Sequence, residues 1–174
     1  MKLQTKTLRM MLLGSLITTS LLPAMSLASD SASFNITAQI IEAISVQNTA
    51  PLNFGIIRML ETTQDIVVNP ADSGNPSGTE PAKFSATGEP DFAVKGNVVE
   101  TQITLSCQEA AKCDQESFNV DTFTYGGDMN SDGDATLNDQ GALSNLLVGA
   151  TAHVNANQKS GNYQGTGTFR VIYQ

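Results

Sequence analysis

Leu146-Leu-Val-Gly-Ala-Thr-Ala-His-Val-Asn-Ala156 and, after a short polar stretch, Tyr163-Gln-Gly-Thr-Gly-Thr-Phe-Arg-Val-Ile-Tyr-Gln174 decide the fold class. In the first, Leu146, Val148, Ala150, Ala152, Val154 and Ala156 recur at every second position. In the second, Tyr163, Gly165, Gly167, Phe169, Val171 and Tyr173 share one face, and Gln164, Thr166, Thr168, Arg170 and Gln174 share the other. A strand sends successive side chains to opposite faces, so a period of two predicts two strands, each with an apolar side. Asn157 to Asn162 reads as a turn, and the pair is expected to close as a hairpin.

The same period extends upstream. Ala32, Phe34, Ile36, Ala38 and Ile40 alternate with Ser33, Asn35, Thr37 and Gln39. Residues 40–46 read as a second, more buried strand, and residues 51–57 as a short strand with a glycine bulge at Gly55. Ile66-Val67-Val68, Phe84–Ala86, Phe92–Val94, Val99–Cys107 and Phe118–Val120 are further strand segments. The Gly-, Pro-, Ser- and Asn-rich stretches 72–81 and 126–140 read as loops. No apolar period of 3.6 is sustained after residue 28. Many short strands divided by turn clusters predict an all-β, antiparallel β-sandwich.

Residues 1–28 are expected to be a signal peptide. Lys2, Lys6 and Arg9 form a basic start, Met10–Leu22 is apolar and uncharged, and Ser26-Leu27-Ala28 supplies the small residues a signal peptidase reads. Cleavage there leaves six Lys and Arg of the nine against 17 Asp and Glu, a net charge of −11. That field repels nucleic acid and anionic lipid surfaces, so nucleic acid is not an expected partner. In an oxidising compartment Cys107 and Cys113 are expected to form a disulfide around a small loop. Two Cys and one His cannot fill a zinc site.

The ending, with Gly161 fourteenth from the last residue and Tyr173 penultimate, resembles the closing β-zipper of pilin and fimbrial subunits assembled by the chaperone–usher pathway. The surroundings of Asn53-Phe54-Gly55 and Val148-Gly149-Ala150 are also similar to a large group of pilin-like secreted bacterial domains. The resemblance implies an immunoglobulin-like sandwich that lacks its last strand and is completed by donor-strand complementation. Gly161, Tyr163, Phe169, Val171 and Tyr173 would border the polymerisation groove, with Phe169, Val171 and Tyr173 facing water. Residues 29–38 would be the donor extension, offering Ala32, Phe34 and Ile36, and residues 39–174 the domain. It implies as partners other copies or related subunits, a periplasmic chaperone and an outer-membrane usher, with passage through the periplasm to a surface fimbria. The alternative is a self-complete secreted sandwich that adheres to a glycan or protein. No receptor is legible.

One motif carries ion chemistry. Asp128, Asn130, Asp132, Asp134, Thr136 and Asp139 stand at positions 1, 3, 5, 7, 9 and 12 of an oxygen-ligand loop, with Gly133 at its turn. The spacing is similar to the calcium repeats of secreted dockerins, and the alternative is an acidic hairpin tip. Calcium is therefore the one candidate cofactor, and none is required by the fold. No nucleophile stands beside a base. His153 is the only His and falls on the polar side of its strand, so an enzyme is not expected.

Overall fold

The computed structural model describes residues 30–59, 61–71 and 74–174. The expected signal peptide lies outside them. The chain divides between Ala38 and Gln39, and every strand belongs to the second unit. Residues 30–44 adopt no regular secondary structure. Ten strands and one helical turn follow: β1 Ser45–Ala50, β2 Gln64–Val68, β3 Ala82–Thr87, β4 Ala93–Val98, β5 Ile103–Cys107, α1 Ala110–Cys113, β6 Ser117–Gly127, β7 Asp134–Thr136, β8 Ala142–Val154, β9 Tyr163–Gln164 and β10 Phe169–Tyr173.

The domain is an all-β antiparallel sandwich. The larger sheet runs β1-β3-β8-β6-β5-β9 and the smaller β10-β4-β7. The long strand β8 organises the larger sheet. One edge carries β6; the other is shared end to end by β3, on Ala142–Val148, and β2, on Ala150–Val154. Two apolar clusters fill the interior. One joins the sheets through Ala86, Val94, Leu137, Leu146, Val148 and Val171. The other gathers Phe54, Val68, Phe118, Val120, Ala152 and Val154 on the far half of β8.

The alternation that predicts strands holds, but it misassigns partners. The expected hairpin between β8 and the last stretch does not form: β9 pairs with β5 and β10 with β4. The last stretch is not one strand either. Residues 165–168 lie between β9 in the larger sheet and β10 in the smaller, so the chain crosses from one sheet to the other there. Both faces of the middle of β8 are covered, which is why Leu146 to Ala150 are all buried and the period of two fades.

Upstream, the strand expected over 40–46 starts only at Ser45, and Ile40 is 97% exposed. Residues 51–57 make a single bridge, Asn53 to Glu80, because Asn53 Oδ1 captures the Gly55 N–H and Gly55 turns at φ +67°. The alternation from Val99 to Cys107 yields a strand only from Ile103, since β4 and β5 belong to different sheets. The loop 126–140 contains β7, an edge strand on β4.

Candidate functional site

The geometry of the last stretch follows from its register. In β10 the partners of β4 are Phe169↔Val98, Val171↔Gly96 and Tyr173↔Val94. The flanking bonds, Val99 N–H to Thr168 O at 2.9 Å and Gln174 N–H to Ala93 O at 3.0 Å, fix Thr168, Arg170, Ile172 and Gln174 as the residues whose backbone faces β4. The backbone groups of Phe169, Val171 and Tyr173 therefore point to the other edge, where no strand pairs with them among the described residues. The bond from Gln108 N–H to Asn162 O, 2.8 Å, extends the same parity to β9, so Tyr163 also turns its backbone outward.

Beside that edge runs an apolar trough. Its main chamber, about 640 Å³, has Ile103, Leu105, Val120 and Phe123 in its lining, together with Tyr163, Phe169, Leu52 and Phe54. A second chamber of about 550 Å³ shares Leu52, Phe54, Leu105 and Tyr163 and continues past Gly161 and Ile56. Ile56 is 95% exposed there.

The end of β10 is pinned by a separate set of bonds. The Tyr173 hydroxyl donates to the Glu42 carbonyl at 2.8 Å and accepts the Glu89 N–H at 2.7 Å, while Glu89 accepts the Glu42 N–H at 3.0 Å. Phe92 meets the Tyr173 ring edge-on at 5.7 Å. The expectation that Phe169, Val171 and Tyr173 all face water is therefore corrected. Val171 is in the core, Tyr173 is half-buried under its clasp, and only Phe169 lines the trough, stacked on Phe84 at 4.4 Å. A sandwich is thin enough for the end of an edge strand to reach the facing sheet, and the sequence pattern carries no sign of that.

The glycines gain specific reasons. A Cβ on Gly161 would strike the Cys113 sulfur, so the residue is small because the disulfide lies against it. A Cβ on Gly167 would strike Ile103, and one on Gly165 would come within 2.7 Å of the Thr104 carbonyl. These two let the crossing segment settle onto β5. Cys107 and Cys113 are bonded, with Cα atoms 6.1 Å apart, and Cys107 itself pairs with Tyr163. Of the expected donor residues, Phe34 is 81% and Ile36 83% exposed, and Ala32 is also exposed.

In the acidic loop several of the expected ligand oxygens are hydrogen-bonded within the protein. Asp128 accepts the Ser144 and Asn145 amides, and Asn130 Oδ1 accepts those of Asp132 and Asp134. The Asp134 carbonyl, the expected seventh-position ligand, takes the Asn130 N–H at 2.9 Å. Its carboxylate pairs with Lys95 at 2.9 Å and is held below the usual range by that bond and by Gln174. Thr136 lies in β7 and Asp139 in the following turn. Among the described residues no three Asp, Glu, His or Cys converge as metal ligands. The sequence spacing is shared by ion loops and hairpin tips, and here backbone amides bond the Asp128 and Asn130 oxygens.

His153 is more than a surface polar residue. Its Nδ1 lies 2.7 Å from Asp65 on β2 and its Nε2 2.8 Å from Asp121 on β6. Both ring nitrogens meet carboxylates, which raises its pKa, chiefly through Asp121 and then Asp65. Sequence reading missed this bridge because its partners come from strands 32 and 88 positions away. It also missed the Glu42–Glu89–Tyr173 clasp, whose only signal was a tyrosine on an apolar face.

No helix among the described residues is long and apolar enough to cross a membrane. No curated protein matches the chain in sequence. One family profile matches residues 44–173, from just before β1 to the last residue of β10, and the chain accordingly belongs to DUF4402, a family described as a domain of unknown function.

Proposed function

We propose that this chain is an exported structural subunit that polymerises by strand exchange, each copy inserting its residues 29–38 into the trough of the next. The observation that carries the reading is the edge of Tyr163 and Phe169, unpaired among the described residues, beside an apolar trough, in a chain whose Phe34 and Ile36 are more than four-fifths exposed. An open edge over an apolar channel is a template for another strand. Strand addition satisfies its N–H and C=O groups while alternate side chains fill the channel. Phe34 and Ile36 would each contribute about 1.5–3 kcal/mol on full burial. The added backbone bonds contribute roughly 1 kcal/mol apiece, net of solvation.

The same edge invites aggregation before assembly, which is the physical reason for a protecting partner such as the periplasmic chaperone that the resemblance implies. Export is supported by the basic-apolar-small pattern of residues 1–28 and by the Cys107–Cys113 disulfide. Assembly through an usher into a surface fimbria is the form that fits such a subunit.

The test compares the mature chain with a variant lacking residues 29–38, by sedimentation and electron microscopy. The mature chain should form fibres. The shortened one should stay monomeric and regain stability when a peptide of residues 29–40 is added. A mature chain that remains monomeric, with no gain from the peptide, refutes the proposal in favour of a self-complete adhesive module.

A further inference from the structure

We infer that His153 is a proton-operated latch: it carries both ring protons in the folded domain, and the loss of one releases strand β2 and, with it, the Leu52–Phe54 wall of the trough. The latch stands on the His153 bridge and its packing, and holds whether or not the chain exchanges strands.

His153 has a carboxylate on either side. Its Nδ1 lies 2.7 Å from Asp65 Oδ1 and its Nε2 2.8 Å from Asp121 Oδ1. An ionised carboxylate only accepts hydrogen bonds, and a neutral imidazole has a single N–H. Both contacts are therefore hydrogen bonds only in the imidazolium. In the neutral ring one nitrogen turns a lone pair on an oxygen at hydrogen-bond distance, and that contact must open. Among the described residues the charged groups that face the ring are Asp65 from β2 and Asp121 from β6, and both favour its cation. The β6 residue directly opposite, Asn119, is neutral. The latch is thus closed at and below the ordinary histidine value near 6.5, and opens as pH rises through the higher folded one.

The two sides are held unequally. The Asp121 side chain is 28% exposed, and it also accepts the Thr122 hydroxyl at 2.8 Å. It stands in a bulge of β6, where the register shifts between Asp121 and Thr124 and Thr122 turns at φ +51°, a conformation that β-branched residues rarely take. Such a bulge re-aims a side chain, and this one sets the carboxylate against the ring. The Asp65 side chain is 59% exposed, and among the described residues its carboxylate has no hydrogen bond besides the one to His153. It turns to water at little cost. The neutral ring therefore keeps its Nε2–H on Asp121 and gives up Asp65.

Little else holds that end of β2. The strand pairs with β8 alone, through five residue pairs, of which Asp65↔His153 is one. Its Ile66 and Val68 pack in one apolar cluster with Leu52 and Phe54. Leu52 and Phe54 line both chambers of the trough, and Asn53 between them is bridged to Glu80 by backbone bonds of 2.9 and 2.8 Å. Interiors are close-packed, so a displacement of Ile66 and Val68 passes to the wall they support.

Hydrogen exchange followed by NMR on the mature chain, corrected for the intrinsic rise of exchange with pH, reads the latch. From about pH 5.5 to about pH 9, protection of the β2 amides bonded to β8 should fall roughly tenfold or more, the scale of one lost hydrogen bond to a charged group. The Asn53 amide should lose protection with them. The β6 amides should hold, and so should Gly96, whose N–H bonds Gly133 beside the smaller sheet. In Asp65→Asn the new amide can donate to the Nδ1 lone pair of the neutral ring, so β2 should stay protected at both pH values. Asp65→Ala offers no partner at either, and protection should be low at both. A pH response of β2 that survives in Asp65→Asn overturns the latch, as does parent protection that stays level. Loss on β6 in place of β2 overturns the choice of released strand, and a β2 loss that leaves Asn53 unmoved overturns the link to the trough.

Discussion

Breaking the Cys107–Cys113 bond by Cys107→Ser with Cys113→Ser is expected to cost about 2 kcal/mol and to loosen the trough from one end. The bond joins residues six apart, and closing so small a ring removes chain entropy worth about 2.4 kcal/mol at 25 °C before any relaxation of the folded state. At a urea slope of roughly 2 kcal/mol/M for a domain of this size, the midpoint should fall by about 1 M. The location adds a local consequence. β9 is held to the larger sheet by two residue pairs, Ser106↔Gln164 and Cys107↔Tyr163, and one of them contains the bonded cysteine. The adjacent bond from Gln108 N–H to Asn162 O ties down the same corner. Hydrogen exchange at the Gln108 amide should therefore accelerate more than at Gly96, whose N–H bonds the Gly133 carbonyl on the opposite sheet. Urea titration followed by circular dichroism gives the global number, and exchange measured by NMR gives the local one. An unchanged midpoint, or equal acceleration at both amides, refutes the reasoning that the bond staples this end of the trough.

The Asp65–His153–Asp121 bridge makes stability depend on pH in a stated direction. His153 is raised by its carboxylate partners, so its contribution is complete below the ordinary histidine value near 6.5 and is lost as pH rises through the folded one. Asp121 is lowered, first by His153 and then by Thr122, so its share holds above about pH 4 and is lost as acid protonates it in the folded state. Melting temperature should thus be higher between about pH 4 and 6.5 than at pH 9, and His153→Gln should flatten the alkaline fall; equal slopes for the two proteins refute the bridge. Leu146→Ala empties a buried site between Phe84 and Gly127 and should cost about 3–5 kcal/mol in urea unfolding. Ile172→Ala, on the outer side of β10, should stay within about 0.5 kcal/mol of the parent. Millimolar calcium should leave the melting temperature unmoved, since the oxygens of Asn130, Asp128 and Asp134 are held by backbone amides and Lys95; a rise abolished by Asp132→Ala would reverse that conclusion.

The sequence by itself determined the strand character of this protein and the all-β class, because alternation along β3, β6 and β8 is a local consequence of one face being buried. It also carried the Cys107–Cys113 bond, which a cysteine pair in an oxidising compartment leads one to expect. It could not determine partners. The stretch 163–173 reads as one strand in a hairpin with β8, yet it divides between two sheets and pairs with β5 and β4. Period two tells which side of a strand is apolar and nothing about which edge finds a neighbour. For the same reason Val171 and Tyr173 read as groove residues although the core and a clasp on Glu42 hold them. The trough, the unpaired edge and the His153 bridge are properties of segments brought together across 30 to 130 positions. Only the tertiary structure decides them, because burial and hydrogen bonding between distant strands depend on which of several equally apolar faces come to lie against one another.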